Sequence, residues 1–246
     1  MARIKLVVAY DGTSYHGWQI QPGKMTIEEK LNTALTDLLG EKIRVIGASR
    51  TDSGVHSLGN VAVFDADTHI PAEKISFALN QRLPEDIVVQ ESCEAASDWH
   101  PRHCDSIKTY EYRILNRTFP MPTRRLDTYF YHYPLDAERM EEAAKWLEGT
   151  HDFKSFCSTN TAVKTTVRTL YSCEVTRAED IITIRLSGSG FLYNMVRIIA
   201  GTLIPIGAGQ MEPEEITRIL EERDRAAAGP TAPAHGLTMM GIDFIE

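Results

Sequence analysis

Cysteine is scarce in this 246-residue chain, and Cys93, Cys104, Cys157 and Cys173 stand apart with no CxxC spacing. The pattern supports neither a zinc site nor a disulfide framework, and predicts free thiols in a reducing compartment. Long apolar runs are missing too. The longest such region, 191–208, is interrupted by Asn194, Arg197 and Pro205 and makes a poor membrane span. The opening Met1-Ala2-Arg3-Ile4-Lys5-Leu6 has no extended apolar core of the signal-peptide kind, so a cytoplasmic protein is expected. No P-loop and no GxGxxG occurs, and metal-ligand spacings are absent. Positive charge is not in excess: 26 Lys and Arg face 34 Asp and Glu, a net charge of −8. That balance excludes a general nucleic-acid coat protein.

What is present is ordinary for a globular protein, with 24% charged and 43% hydrophobic residues and enough length for one large domain or two modest ones. The charge is unevenly spread. From Trp99 to Arg125 six basic residues (102, 108, 113, 117, 124 and 125) face only Asp105 and Glu111. From Phe153 to Cys173 stand Lys154, Lys164 and Arg168 with many hydroxyls and no acid, while acids gather in 212–222. A basic groove on an acidic body would take a polyanion at one place only; solvated faces would give the same count.

The periodicities alternate between strand and helix. Residues 3–9 read as a strand, and Thr26 with Glu29 forms a capping box ahead of Ile27, Leu31, Ala34, Leu35, Leu38 and Leu39, closed by Gly40. Strands are predicted near 42–48 and 60–65, a helix near 71–82 and a strand over 87–91. The second half repeats the order: a strand over 106–115 with Lys108, Tyr110, Tyr112 and Ile114 on one side, a helix from Asp136 to Gly149, a hairpin over 170–186, a helix from about Phe191, another near 213–222, and a last strand over 242–245. Both halves read β-α-β-β-α-β, the ferredoxin-like unit. The expected architecture is α+β: two tandem ferredoxin-like modules, 1–104 and 105–246, with mainly antiparallel sheets meeting at a central cleft.

Chemistry points to Arg50-Thr51-Asp52-Ser53-Gly54-Val55-His56-Ser57, a polar turn between two β-type runs. An acid beside a base in such a turn either holds one carboxylate at a site or forms a structural turn with an Arg50–Asp52 pair. Four further segments share the chain with it: Tyr10–Gln21, Lys108-Thr109-Tyr110-Glu111-Tyr112, Gly190–Arg197 and Ala232–Leu237. Together, and in this order, the five segments resemble the tRNA pseudouridine synthase A (TruA) family. The likeness runs from about residue 3 to the C-terminus.

The resemblance implies isomerisation of uridine to pseudouridine at positions 38, 39 and 40 of the tRNA anticodon stem-loop, without a cofactor, by a homodimer. It implies that Asp52 is the nucleophile, adding at the sugar C1′ or the uracil C6 or else removing a sugar proton. It casts Arg197, on a helix of the second module, as the cation that keeps Asp52 ionised; an arginine snorkelling from an apolar helix is the alternative. It puts Tyr110 against the target uracil, makes Arg50 the group entering the stem as the base leaves, and leaves Lys108 suited to a phosphate. His56 reads as a structural residue of the loop, and Trp18 either as core or as a support for the active-site loop. Two other functions fit the coarse pattern: a synthase acting on another RNA, and a non-catalytic pair of RNA-recognition domains. The second requires exposed aromatics in RNP motifs, and no such pair is seen.

Overall fold

A computed structural model describes residues 1–159 and 163–245, and divides the chain into two compact units. The first comprises Met1–Asp105 and Met239–Glu246, the second Ser106–Thr238. The division falls beside the boundary expected near 101–105, but the last strand returns to the first unit, whereas 105–246 was expected to form one module.

In the first unit, β1 (Ala2–Tyr10) buries alternate residues, and Ile4, Leu6, Val8 and Tyr10 face α1 (Ile27–Leu39). The α1 helix begins where Thr26 accepts a hydrogen bond from the Glu29 amide and ends at Gly40, whose φ of 71° an L side chain resists. Then follow β2 (Ile46–Gly47), β3 (His56–Ala66), α2 (Ile75–Asn80) and β4 (Ile87–Ala95). The antiparallel sheet runs β4-β1-β3, with β2 pairing β3. Ile27, Leu31, Leu35, Ile75 and Leu79 cover one face, each fully buried. Burial of each is worth about 1.5–3 kcal/mol, so Leu31→Ala should cost about 2–5 kcal/mol.

The expected strand over 42–48 shrinks to Ile46–Gly47 for a traceable reason. The Val45 amide donates to Asn32 Oδ1 (2.8 Å) and the Ile43 amide to Thr36 Oγ1 (3.1 Å), so α1 side chains take the donors a ladder would need. The predicted 60–65 strand instead starts at His56, absorbing the end of the polar turn.

The second unit contains β5 (Ser106–Asn116), β6 (Tyr129–Tyr131), α3 (Ala137–Lys145), β7 (Gly149–Asp152), β8 (Val167–Ala178), β9 (Ile181–Gly188), α4 (Met195–Gly207) and α5 (Glu215–Glu222). Its strands run β5-β9-β8-β7 antiparallel, and β6 lies parallel to β5. The mainly antiparallel α+β class expected from the sequence is what the chain adopts. β10 (Leu237–Phe244) begins in the second unit and ends in the first, where Phe244 meets Trp99 edge-on.

Two short strands, β6 and β7, were not read from the sequence. The helix expected from Phe191 begins only at Met195. Asn194 adopts a left-handed backbone (φ 60°), a conformation that asparagine tolerates and that breaks a right-handed helix, so Phe191–Tyr193 form a non-helical approach.

Candidate active site

The loop carrying Asp52 is fastened along its length by the segment that follows β1. A register shift between Val8 and Tyr10 puts Tyr10 opposite Ser57. The buried Tyr10 hydroxyl lies 2.7 Å from Thr51 Oγ1 and also accepts from Asn60 Nδ2 (3.4 Å). Burial raises the Tyr10 pKa to about 12 against the opposing effect of those bonds, so the hydroxyl keeps its proton at working pH. Asn60 Nδ2 donates to Ser49 O as well (3.0 Å). The Trp18 amide donates to Thr51 O (3.1 Å), while Tyr15 O accepts from the Gly54 amide and from Ser53 Oγ, both at 3.2 Å.

Close packing demands glycine at two points. A Cβ on Gly17, whose φ is 81°, would lie 2.4 Å from Thr51 O. One on Gly47 would lie 2.4 Å from Trp18 Nε1. Trp18 is fully buried beneath the loop and tilted against the Tyr10 ring at 6.0 Å, so its reading as core holds while its backbone also fixes the loop.

At the far end His56 Nδ1 accepts the Gly12 amide (3.1 Å) and lies 3.0 Å from Asp11 Oδ1. Nδ1 cannot accept from Gly12 and donate to Asp11 at once, so the imidazole proton decides which bond is made. For Asp11, burial is the largest influence and pushes its pKa up; the two Thr13 bonds and His56 together outweigh it and bring the pKa below the ordinary aspartate value. His56 is thus a structural part of the loop, as the sequence suggested. Asp52 is partly exposed and Arg50 exposed, two residues apart on this braced turn.

The second unit gathers the other expected residues. Lys108 and Tyr110 lie on β5 opposite Gly188 and Leu186 of β9. The Tyr110 ring is 6% exposed and meets Phe191 edge-on at 5.0 Å. Two residues along, the Tyr112 hydroxyl donates to Pro233 O (2.9 Å), and burial pushes its pKa far up, opposed by the positive charge of Arg197. Arg197, in the first turn of α4, is held from two sides: Nε donates to Ala232 O (2.7 Å) and Nη1 to Asn194 Oδ1 (2.8 Å), while its own carbonyl accepts the Ala232 amide (3.1 Å). A guanidinium so fixed is not merely snorkelling to solvent. Gly236 must be small, since a Cβ there would lie 2.7 Å from the Tyr112 ring.

Arg50 and Asp52 therefore share one loop, while Lys108 and Tyr110 lie on β5 and Arg197 on α4 of the second unit. The positioning residues Tyr10, Thr51, Phe191 and Asn194 were not singled out from sequence, although all four lie inside the resembling segments. Among the described residues no group of three or more His, Cys, Asp or Glu is placed to hold a metal ion, and no helix is long and apolar enough to cross a membrane.

The first unit thus holds the Asp52 loop through the neighbours of Asp52, and the second unit fixes Arg197 and packs Tyr110 against Phe191. Residues 6–103 and 143–244 match the family model described as tRNA pseudouridine synthase. The relative named tRNA pseudouridine synthase A in a Thermoanaerobacter species is 46% identical over 244 residues, covering 99% of this chain and 100% of the relative. That of Acetivibrio thermocellus has the same identity and coverage, and that of Bacillus subtilis is 45% identical, covering 98% of this chain and 99% of its own length. This chain belongs to the tRNA pseudouridine synthase family, and is an isomerase.

Proposed function

We propose that this protein isomerises uridine to pseudouridine at positions 38, 39 and 40 of the tRNA anticodon stem-loop, with Asp52 as nucleophile. The observation that carries the reading is the braced loop, in which Thr51 and Ser53 on either side of Asp52 are bonded to Tyr10, Trp18 and Tyr15 while Asp52 keeps partial exposure. The reaction breaks N1–C1′ and forms C5–C1′; the C5 proton leaves and N1 regains one, so nothing is oxidised or reduced and no cofactor is required. Asp52 must be ionised to act by any of its three routes.

The other roles follow the resemblance. Tyr110 stacks on the target uracil and assists loss of the C5 proton, Arg197 supplies positive charge to the reacting groups, Arg50 fills the space left by the departing base, and Lys108 takes a phosphate. The first unit thus carries the nucleophile, and the second carries the base-stacking tyrosine. The functional species is a cytoplasmic homodimer; a monomeric mass in solution with full activity would refute that part.

Release of tritium from C5-labelled tRNA is the direct test. The wild type should release label and Asp52→Ala should release none while still binding tRNA. Turnover by Asp52→Ala would remove Asp52 from the chemistry. Mapping pseudouridines in total tRNA from cells with and without the protein tests the three positions, and loss at any other site would redirect the substrate assignment.

A further inference from the structure

Of the twelve arginines in the second unit, seven lie within ion-pair distance of a carboxylate: Arg113, Arg117, Arg124, Arg139, Arg185, Arg218 and Arg223. Arg168, at the start of β8, is, with Arg125, Arg177, Arg197 and Arg225, one of the five that meet none among the described residues. Its Nη1 donates to Thr165 O (3.0 Å) and Val167 O (2.6 Å), both backbone carbonyls. The side chain is partly buried, and that burial lowers its pKa. A cation withdrawn from water without a counter-charge carries a desolvation penalty that an arriving anion relieves.

Its surroundings suit an anion. No acid occurs anywhere in 153–173, and Lys154 and Lys164 are exposed there. The acid just before, Asp152, is already engaged by Thr166 Oγ1, the Lys154 amide and Arg223. The Arg168 stem runs along Gly190: Cδ and Nε lie 3.9 Å from where a Gly190 Cβ would stand. Gly188 and Ser189 press the loop onto β8, with Ser189 N donating to Thr169 O (3.0 Å). Gly190 precedes Phe191, which packs on Tyr110. A short run of chain therefore leads from the Arg168 guanidinium to the tyrosine face. With Nη1 occupied by carbonyls, the Nε–Nη2 edge is the fork suited to two oxygens of one phosphate.

We propose that Arg168 seats a backbone phosphate of the RNA, one adjoining the nucleotide whose base meets Tyr110. This rests on the assignment of Tyr110 to the target base. The guanidinium is a positioning group for the strand, not a participant in bond breaking. Phosphate contact confers affinity and register without sequence preference.

The test is binding of an unmodified tRNA transcript to Asp52→Ala protein, with and without Arg168→Gln, across 50–200 mM KCl by fluorescence anisotropy, where about one released counterion is at stake. Arg168→Gln should weaken binding about tenfold, and the slope of log Kd against log salt should fall by about one. Arg168→Lys keeps the charge but not the fork, so the slope should stay while affinity drops; it carries the test if the glutamine variant unfolds. The isolated anticodon stem-loop should show the same slope change. Unchanged affinity and slope, or weaker binding at an unchanged slope, would overturn the proposal and leave Arg168 as a cap for its own loop. A slope change with full tRNA but not with the stem-loop would overturn the placement beside Tyr110. Tritium release by Asp52→Ala, in contrast, would sink the nucleophile assignment and leave this result standing.

Discussion

Removing the Tyr10 hydroxyl tests whether the brace around Asp52 is what makes the loop catalytic. Tyr10→Phe keeps the ring, its burial and its contact with Trp18, and deletes one oxygen. Thr51 Oγ1, 2.7 Å away and 7% exposed as a residue, then loses its partner in a dry place, and so does one donation from Asn60. A buried polar group left without its bond costs about 1–3 kcal/mol, which lowers Tm by about 2–8 °C in a chain of this size. The larger effect should be on kcat. A loop free to shift by about an ångström loses about ten- to a hundredfold in rate, while tRNA affinity, set by many distant contacts, stays within about twofold. Thr51→Val removes the other half of the pair at constant shape, and the double variant should be less impaired than the sum, by about 1 kcal/mol, because both partners are then apolar. Thr51→Ser should restore near-normal turnover. Single-turnover tritium release and thermal unfolding of all four proteins supply the cycle. Strict additivity, or a full rate in Tyr10→Phe, would show that Asp52 is positioned by something other than this bond. Since burial holds the Tyr10 pKa near 12, the deficit should also be constant from about pH 6 to 9.

Gly17→Ala should be more severe than Tyr10→Phe, because its Cβ would meet Thr51 O at 2.4 Å and its φ of 81° costs an L residue about 1–2 kcal/mol; an unfolding midpoint equal to wild type would contradict this. Asp11 has a depressed pKa, so its contribution is fully present above the unfolded value of about 3.9 and is lost as pH falls through the lower folded value. Asp11→Asn should therefore be less stable than wild type at pH 6 and converge with it toward pH 3, as read by urea midpoints; parallel curves would deny the linkage. Tyr110→Phe should bind tRNA normally but form product slowly, and unchanged product formation would make that hydroxyl dispensable.

Much of the fold was legible because periodicity and capping agree locally. Thr26, Glu29 and Gly40 delimit α1, and Asp136 caps α3 by accepting from the Glu138 and Arg139 amides. The misjudged elements are those whose backbone partners come from far away or from side chains. The run 42–48 looks like a strand by residue type, yet Asn32 and Thr36 of α1 capture its amides, and nothing within the run announces that. β6 is three residues long and exists because β5 offers an edge, so it has no period of its own. Asn194 is the single residue that delays α4, and an isolated asparagine in an apolar stretch signals a left-handed turn only weakly.

The site was legible to a different depth. Residue chemistry singled out the Asp52 turn but could not separate a catalytic carboxylate from a turn pair, and only the resemblance carried by five segments in fixed order favours the first. What the sequence hid is how the loop is held. Tyr10 follows the strand read over 3–9, and nothing local says its hydroxyl will meet Thr51, forty-one residues on. The meeting depends on the register slip between Val8 and Tyr10, a property of two strands together. Residues proposed to touch substrate can be guessed from chemical type; those that hold the Asp52 loop are ordinary core residues, and only the pairing of β1 with β3 brings them to it.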